Sequence, residues 1–331
     1  MQRIKRKELT DAVKALFEAG TIDRVLGWAR GEFDYDITPH VFKDVKELEE
    51  SFVWGDFCGA NLSKYLIKET QRSGKKLAVF LKPCDTYSFN QLITEHRIDR
   101  ERVYVIGVEC SGMADIRKIK DITGDGISKI EEKDGCLSVT TLYGDSPVEI
   151  KSADALAERC LCCKSKRHAV YDGLIGGERD EKGADRFAKV RELEAMSEEQ
   201  RYKFWQNELS RCIRCNACRD VCPACTCEKC VFDNPKSGLE NKAAANEFEE
   251  KLFHIIRAFH VAGRCTDCGE CSRVCPQRIP LHLLNRKFIS DINKFYGEYQ
   301  AGAVAGSRAP LVDYTKDDIE PSEATGRESD V

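Results

Sequence analysis

Eight cysteines in two runs of identical spacing carry the clearest chemistry in the chain. The first run is Cys212, Cys215, Cys218 and Cys222, closed by Pro223; the second is Cys265, Cys268, Cys271 and Cys275, closed by Pro276. Both read C-x2-C-x2-C-x3-C-P, the spacing that holds a [4Fe–4S] cubane through thiolates. Three thiolates two residues apart wrap a short loop around three irons, and the fourth iron takes a ligand from elsewhere. Where two such runs share a chain, the last cysteine of each serves the other cluster. Cluster one is therefore assigned to Cys212, Cys215, Cys218 and Cys275, and cluster two to Cys265, Cys268, Cys271 and Cys222. Each proline ends its ligand loop. Zinc would ask for two CxxC pairs around a single ion rather than a triple run.

Other cysteines fall into two further groups. Cys84, Cys110, Cys160 and Cys163 make four thiolates, enough for a third [4Fe–4S] cluster if the fold gathers them. Cys162 can replace either member of the Cys160/Cys163 pair. Cys225, Cys227 and Cys230 crowd the sequence just after the first run; with Cys58 they define a fourth candidate centre. Cys136 has no such company. The six histidines show no pairing with a nucleophile, so no acid–base machinery is expected. His254 and His260 fall near the clusters as packing or hydrogen-bond donors.

The elements that must position these thiols come next. Leu77–Leu81 and Val103–Val108 are short apolar runs that read as buried parallel strands, joined by a helix through Tyr87–His96. Cys84 and Cys110 then follow the carboxyl ends of neighbouring strands, the edge where α/β sheets place their sites. Residues 8–19 read as a helix ending at Gly20, Ile22–Phe42 as strands and turns, Asn61–Thr70 as a helix, and 129–150 as a hairpin. Ser197 and Gln200 form a capping box opening a helix through Leu209. A helix over Leu239–Val261, with Phe248, Leu252, Ile255, Ile256 and Phe259 at helical spacing, lies between the runs; another starts at Pro280. The expected architecture is an α/β N-terminal domain with a parallel βαβ core plus an all-α dicluster domain. Its boundaries are 1–176, a charged linker 177–196, the helical domain 197–300 and a disordered or partner-bound tail 301–331.

Composition excludes several classes. The chain has 331 residues, 18 cysteines and a net charge of −4. The segment 301–331 holds three basic and seven acidic residues, so the remainder is neutral and offers nucleic acid no net attraction. No apolar run approaches the roughly 20 residues of a membrane span. The N-terminal MQRIKRKELTD lacks the apolar core of a signal peptide. A reducing, cytoplasmic compartment is expected, in which ligation explains the thiols better than disulfides.

The helical layout with two C-x2-C-x2-C-x3-C-P runs resembles the α-helical ferredoxin domains of succinate dehydrogenase iron–sulfur subunits and of small heterodisulfide reductase subunits. The first domain is similar to the beta subunits of deazaflavin-reducing hydrogenases and formate dehydrogenases. WGDFCGANLSKYL (54–66), LKPCDTYSFNQLI (81–93), VYVIGVECSGM (103–113), ERCLCC (158–163), YDGLIGG (171–177) and CPACTCEKC (222–230) carry that resemblance. It implies [4Fe–4S] clusters, an extra cluster at Cys84, Cys110, Cys160 and Cys163, and in several members a flavin (FAD). No G-x-G-x-x-G follows a strand, so a Rossmann-type dinucleotide site has no support and the flavin is not located.

The expected function is an iron–sulfur electron-transfer subunit of a cytoplasmic, oxygen-sensitive oxidoreductase complex of hydrogenase, formate dehydrogenase or heterodisulfide-reductase-like type, relaying electrons through several [4Fe–4S] clusters, with catalytic and carrier subunits as partners. The competing expectations are a flavin-containing reductase subunit exchanging hydride with a deazaflavin or nicotinamide, and a zinc-bound interaction module.

Overall fold

A computed structural model describes residues 2–180, 183–234 and 247–312, with side chains left aside for 247–250. The chain divides into two compact units, Met1–Phe89 with Ile98–Ala184, and Asn90–Arg97 with Asp185–Val331.

The first unit is built on a five-stranded sheet. Its strands are β1 (Ile22–Arg30), β2 (Ile37–Phe42), β3 (Lys76–Leu81), β4 (Val103–Val108) and, after the small sheet described below, a short strand Gly173–Ile175. In space the order is β2-β1-β3-β4 and then Gly173–Ile175. Only β1 and β2 pair antiparallel; β1–β3, β3–β4 and β4 with Gly173–Ile175 are parallel. The βαβ expectation is met, because Leu77–Leu81 and Val105–Val108 are buried on both faces. The crossover helix begins at Pro83 rather than Tyr87 and ends at Thr94. Proline suits a first helical turn, where its missing N–H has no partner to lose.

Gly107, next to the last residue of β4, has a steric reason. A Cβ there would stand 3.1 Å from Leu174 Cδ1 and 3.2 Å from His168 Cδ2, so glycine lets the neighbouring strand and the His168 ring close in.

The 129–150 hairpin is larger than expected. β5 (Ile127–Lys133) and β6 (Cys136–Thr141) are joined by β7 (Val148–Lys151) in an antiparallel sheet. Leu137, Val139 and Ile150 give this sheet its own small core with Ile119 and Ile127. A lone hairpin is marginal in water, and a third strand with an apolar face supplies what it lacks.

The second unit is helical. Its longer helices are Ala188–Ala195, Glu198–Ser210, Glu247–His260 and His282–Tyr296. Both bonds of the Ser197/Gln200 capping box are present. Ala188–Ala195 falls inside the expected linker, and burial of Val190 and Leu193 explains why that stretch packs. The start of the Leu239–Val261 expectation, and residues 313–331 of the tail, lie outside the described residues. Within 301–312, Ala301 and Ala309 are buried.

Candidate iron–sulfur sites

Each cysteine run of the second unit folds the same way. In the first, Arg214 and Asn216 take φ of 52° and 61°; in the second, Asp267 and Gly269 at the equivalent positions take 55° and 68°. A short helix then follows each, Ala217–Asp220 and Glu270–Arg273. Left-handed residues interleaved with right-handed ones turn successive backbone N–H groups inward, forming concavities that accept anions, iron–sulfur centres among them. Three of the four left-handed positions are not glycine, and each such residue costs on the order of 1–2 kcal/mol. Strain of that kind persists where the surroundings fix it, typically at functional sites.

The surroundings are visible. Asp267 is held by Arg286, whose Nε donates to its carboxylate at 2.8 Å, and by Arg186 at 3.4 Å. Arg214 lies over the Phe253 ring, 4.1 Å from its centroid. The Arg214 backbone N–H donates to Cys212 Sγ at 3.3 Å.

One cavity in this unit is lined by Cys212, Cys215, Cys218 and Cys275, together with Phe253 and His254. Burial pushes the Cys218 thiol up to about 12, and the nearby charges of Cys271, Cys212 and Cys275 push the same way. A second set forms around Cys222. Burial drives Cys265 and Cys268 upward, Cys268 to about 12, with Cys222 among the charges acting on each. Cys271 is raised by burial and also feels Cys222. Cys275 thus lines the cavity of the first run, and the charge of Cys222 acts on the thiols of the second. The thiols are also the core of the unit: Cys218, Cys271 and Cys275 are buried with Leu209, Phe232, Phe253, Ile279 and Leu281.

Among the described residues, no three His, Cys, Asp or Glu side chains converge closely enough to hold a single metal ion. Thiolates arranged around a cavity suit a cage with one ligand per iron; a mononuclear zinc site gathers its donors about 2.0–2.3 Å from one point.

Two buried polar groups fit an anionic occupant. His254 is 1% exposed, lines the cavity, and neither ring nitrogen has a hydrogen-bond partner among the described residues. Burial, and then the guanidiniums of Arg257 and Arg214, hold it down to about 3, so the ring is neutral and carries one N–H to donate. Arg257 is 3% exposed, and the charges acting on it are those of Cys218, Cys271, Cys222 and Cys225. An uncompensated buried cation is costly; the neighbouring thiols, ionised on ligating iron, would supply the counter-charge. His260, by contrast, is exposed.

Arg257 escaped the sequence reading. Helical spacing weighted by apolarity chose Ile255 and Phe259, yet both are exposed, while Phe253, His254, Arg257 and Ala258 are buried. The available signal was position: His254 and Arg257 lie three apart, on one face with Phe253 and Val261.

In the first unit, Cys84 follows β3 and Cys110 follows β4. Cys84 is raised well above the usual thiol range by burial, then by Asp85, with Cys163 a further contributor. Cys110 is pushed to about 11 by burial, with Cys160 next. The charge of Cys163 thus acts on Cys84, and that of Cys160 on Cys110. Cys160 Sγ accepts from the Met113 backbone N–H at 3.4 Å, and Cys163 Sγ donates to Ser165 O at 3.1 Å.

Lys82 sits beside this group, fully buried. Its ammonium pairs with Asp85 at 2.7 Å, donates to Ala60 O at 2.9 Å and rests 4.5 Å from the Trp28 ring centroid. Burial alone would lower Lys82, but Asp85 and the Cys84 and Cys110 thiols leave it raised. His168 Nε2 lies 3.2 Å from Val108 O and its Nδ1 3.2 Å from Glu178 at the same sheet edge.

Cys58 is in the core of the first unit, its thiol donating to Val53 O at 3.6 Å, and burial pushes it to about 12. Cys225, Cys227 and Cys230 belong to the second unit. A hydrogen bond with Cys225 is the largest cause raising Cys222, ahead of burial.

Residues 208–279 match a 4Fe–4S dicluster domain. The chain is 26% identical to an F420-dependent formate dehydrogenase subunit beta of Methanocaldococcus jannaschii, covering 84% of this chain and 88% of that protein. It is also 26% identical to an F420-dependent formate dehydrogenase 1 subunit beta of Methanococcus maripaludis, covering 69% and 75%. A chain of the F420-reducing [NiFe] hydrogenase complex from Methanosarcina barkeri aligns at 17% identity and a TM-score of 0.36, over 47% of this chain and 58% of that one. A likeness that distant carries no argument. Among the described residues no helix is long and apolar enough to cross a membrane.

Proposed function

We propose that this chain is an iron–sulfur electron-transfer subunit of a cytoplasmic, formate-dehydrogenase-type oxidoreductase complex, passing electrons between a catalytic subunit and a carrier. Cluster one is held by Cys212, Cys215, Cys218 and Cys275, and cluster two by Cys265, Cys268, Cys271 and Cys222. The observation that carries the reading is the exchange of last cysteines, with Cys275 lining the cavity of the first run and Cys222 acting on Cys265, Cys268 and Cys271. The 4Fe–4S dicluster match over 208–279 and the two formate dehydrogenase relatives support it.

The clusters supply one-electron storage. The chain's residues do the rest: they hold the cages at fixed separation, exclude water, and set potential by burial and by hydrogen bonds to sulfur. The Arg214 N–H on Cys212 is such a donor for cluster one, and the His254 ring would be another once the cluster is bound. In the first unit, Cys84, Cys110, Cys160 and Cys163 hold a third cluster beside Lys82, whose buried charge favours thiolate.

Electron paramagnetic resonance of the dithionite-reduced protein, prepared without oxygen and assayed for flavin release, tests this. The relay predicts interacting [4Fe–4S] signals. A flavin released in stoichiometric amount would move the chain to the hydride-exchanging reductase class; signals absent after reduction would remove the relay.

A further inference from the structure

The second unit carries another cavity, of about 570 Å³, whose wall includes Glu95, His96, Arg97, Arg264 and Arg308. That is the size of a small-molecule site. Three arginines stand there against one carboxylate, so the wall is cationic. The Glu95 carboxylate is already occupied. It accepts from Gln91 Nε2 at 2.8 Å and from Arg264 Nε and Nη2 at 2.8 and 2.6 Å. Arg264 is held further by the Ala224 carbonyl at 3.0 Å. Arg97 is anchored by the Thr226 carbonyl at 2.6 Å. The Glu228 carboxylate lies 4.0 Å from Arg97 but is 89% exposed, and such a pair is weak and screened by salt. His96 takes φ of 53°. The His96 and Arg97 N–H groups donate to Ile93 O and Leu92 O, both at 2.9 Å, a helix end that usually places glycine at the left-handed position. Histidine there carries strain that glycine would avoid, and what it adds is an imidazole on the cavity wall.

We propose that this cavity binds a phosphate-bearing organic molecule, its phosphate held by His96, Arg97 and Arg308 and its organic part lying against Ala309 and Val312, which also line the wall. The guanidinium fork matches phosphate oxygens in geometry as well as in charge. Three arginines against one carboxylate leave two positive charges, which suits a phosphate monoester of about −1.5 to −2 at pH 7. The cavity is far larger than phosphate alone requires, and its apolar side chains give the remainder of the ligand a surface. The wall also runs into both cysteine runs, since Arg264 precedes Cys265 and Ala224 and Thr226 follow Cys222. A bound molecule therefore sits beside the proposed relay, although the site itself needs no cluster to form.

The test is calorimetric titration of the full chain, prepared without oxygen, with adenosine monophosphate, adenosine, inorganic phosphate and citrate. Parent, R97M, R308M and H96G are compared, and iron is counted in the same samples. Adenosine monophosphate should bind more tightly than inorganic phosphate, and adenosine should not bind. R97M and R308M should each lose at least about tenfold in affinity for the nucleotide, the scale of one hydrogen bond to a charged group. H96G should melt no lower than the parent, because glycine suits the left-handed position, and should bind more weakly; it keeps the test open if an arginine variant fails to fold. No binding of either phosphate probe would overturn the site, as would affinity unchanged in all three variants. Citrate binding as tightly as the nucleotide would overturn the choice of phosphate, and inorganic phosphate binding as tightly would overturn the place for an organic part. An iron count that failed while these affinities held would sink the dicluster reading and leave this site standing.

Discussion

Replacing Cys275 by serine separates crossed ligation from ligation within each run. A hydroxyl is a poor, hard donor beside the soft thiolate it replaces, so the cluster that depends on Cys275 should be lost. If Cys275 serves the first run, its cluster closes a loop of about 63 residues back to Cys212. The chain-entropy model puts the stabilisation from closing a loop of that length at about 4 kcal/mol. If Cys275 served its own run, the loop back to Cys265 would be about 10 residues and the figure about 3 kcal/mol. Those figures are too close to decide the matter, so the identity of the lost cluster must. Cys215→Ser and Cys268→Ser provide spectroscopic references for the loss of cluster one and cluster two. Cys275→Ser should hold about four irons fewer than the parent, reproduce the Cys215→Ser spectrum, and unfold earlier in guanidinium chloride. A Cys275→Ser spectrum matching Cys268→Ser would refute the crossed arrangement.

His254→Phe should load iron normally, because the ring volume is kept, but the midpoint of cluster one should become more negative, by up to about tenfold in its reduction equilibrium or about 59 mV; an unmoved midpoint would show that the ring donates nothing to sulfur. The metal-free protein should lose stability in alkali. Its buried thiols Cys58, Cys110, Cys218 and Cys268 are raised from 9.0 to about 11–12. The fold favours their neutral form, so that stability is present below pH ~9 and is lost as pH rises through the folded values. Melting curves from pH 7 to 11 should fall for the stripped protein and stay flatter for the loaded one, whose thiolates are already ligated. Identical declines would contradict this.

What was legible in the sequence was whatever a short-range pattern writes down. The two cysteine runs, the capping box at Ser197 and the buried strands Leu77–Leu81 and Val103–Val108 each announce themselves within a dozen residues. The strand Gly173–Ile175 did not, because three residues are too few for any period; its place comes from pairing with Ile106–Val108. The grouping of Asn90–Arg97 with the second unit was also hidden. It depends on Glu95, whose carboxylate takes two bonds from Arg264 at 2.8 and 2.6 Å, a pairing 169 residues apart. Arg257 was missed for a related reason. Hydrophobic periodicity assumes that charge faces water, and here the counter-charge lies inside, among the thiols. The left-handed positions of Arg214, Asn216 and Asp267 follow the same logic, since ligand geometry overrides the ordinary backbone preference.

The account depends first on two iron–sulfur cages held by eight thiolates. The direct measurement is iron, acid-labile sulfide and zinc per chain in protein purified without oxygen. At least about eight irons with matching sulfide and no stoichiometric zinc is the predicted result; about four irons, or zinc without sulfide, would contradict it.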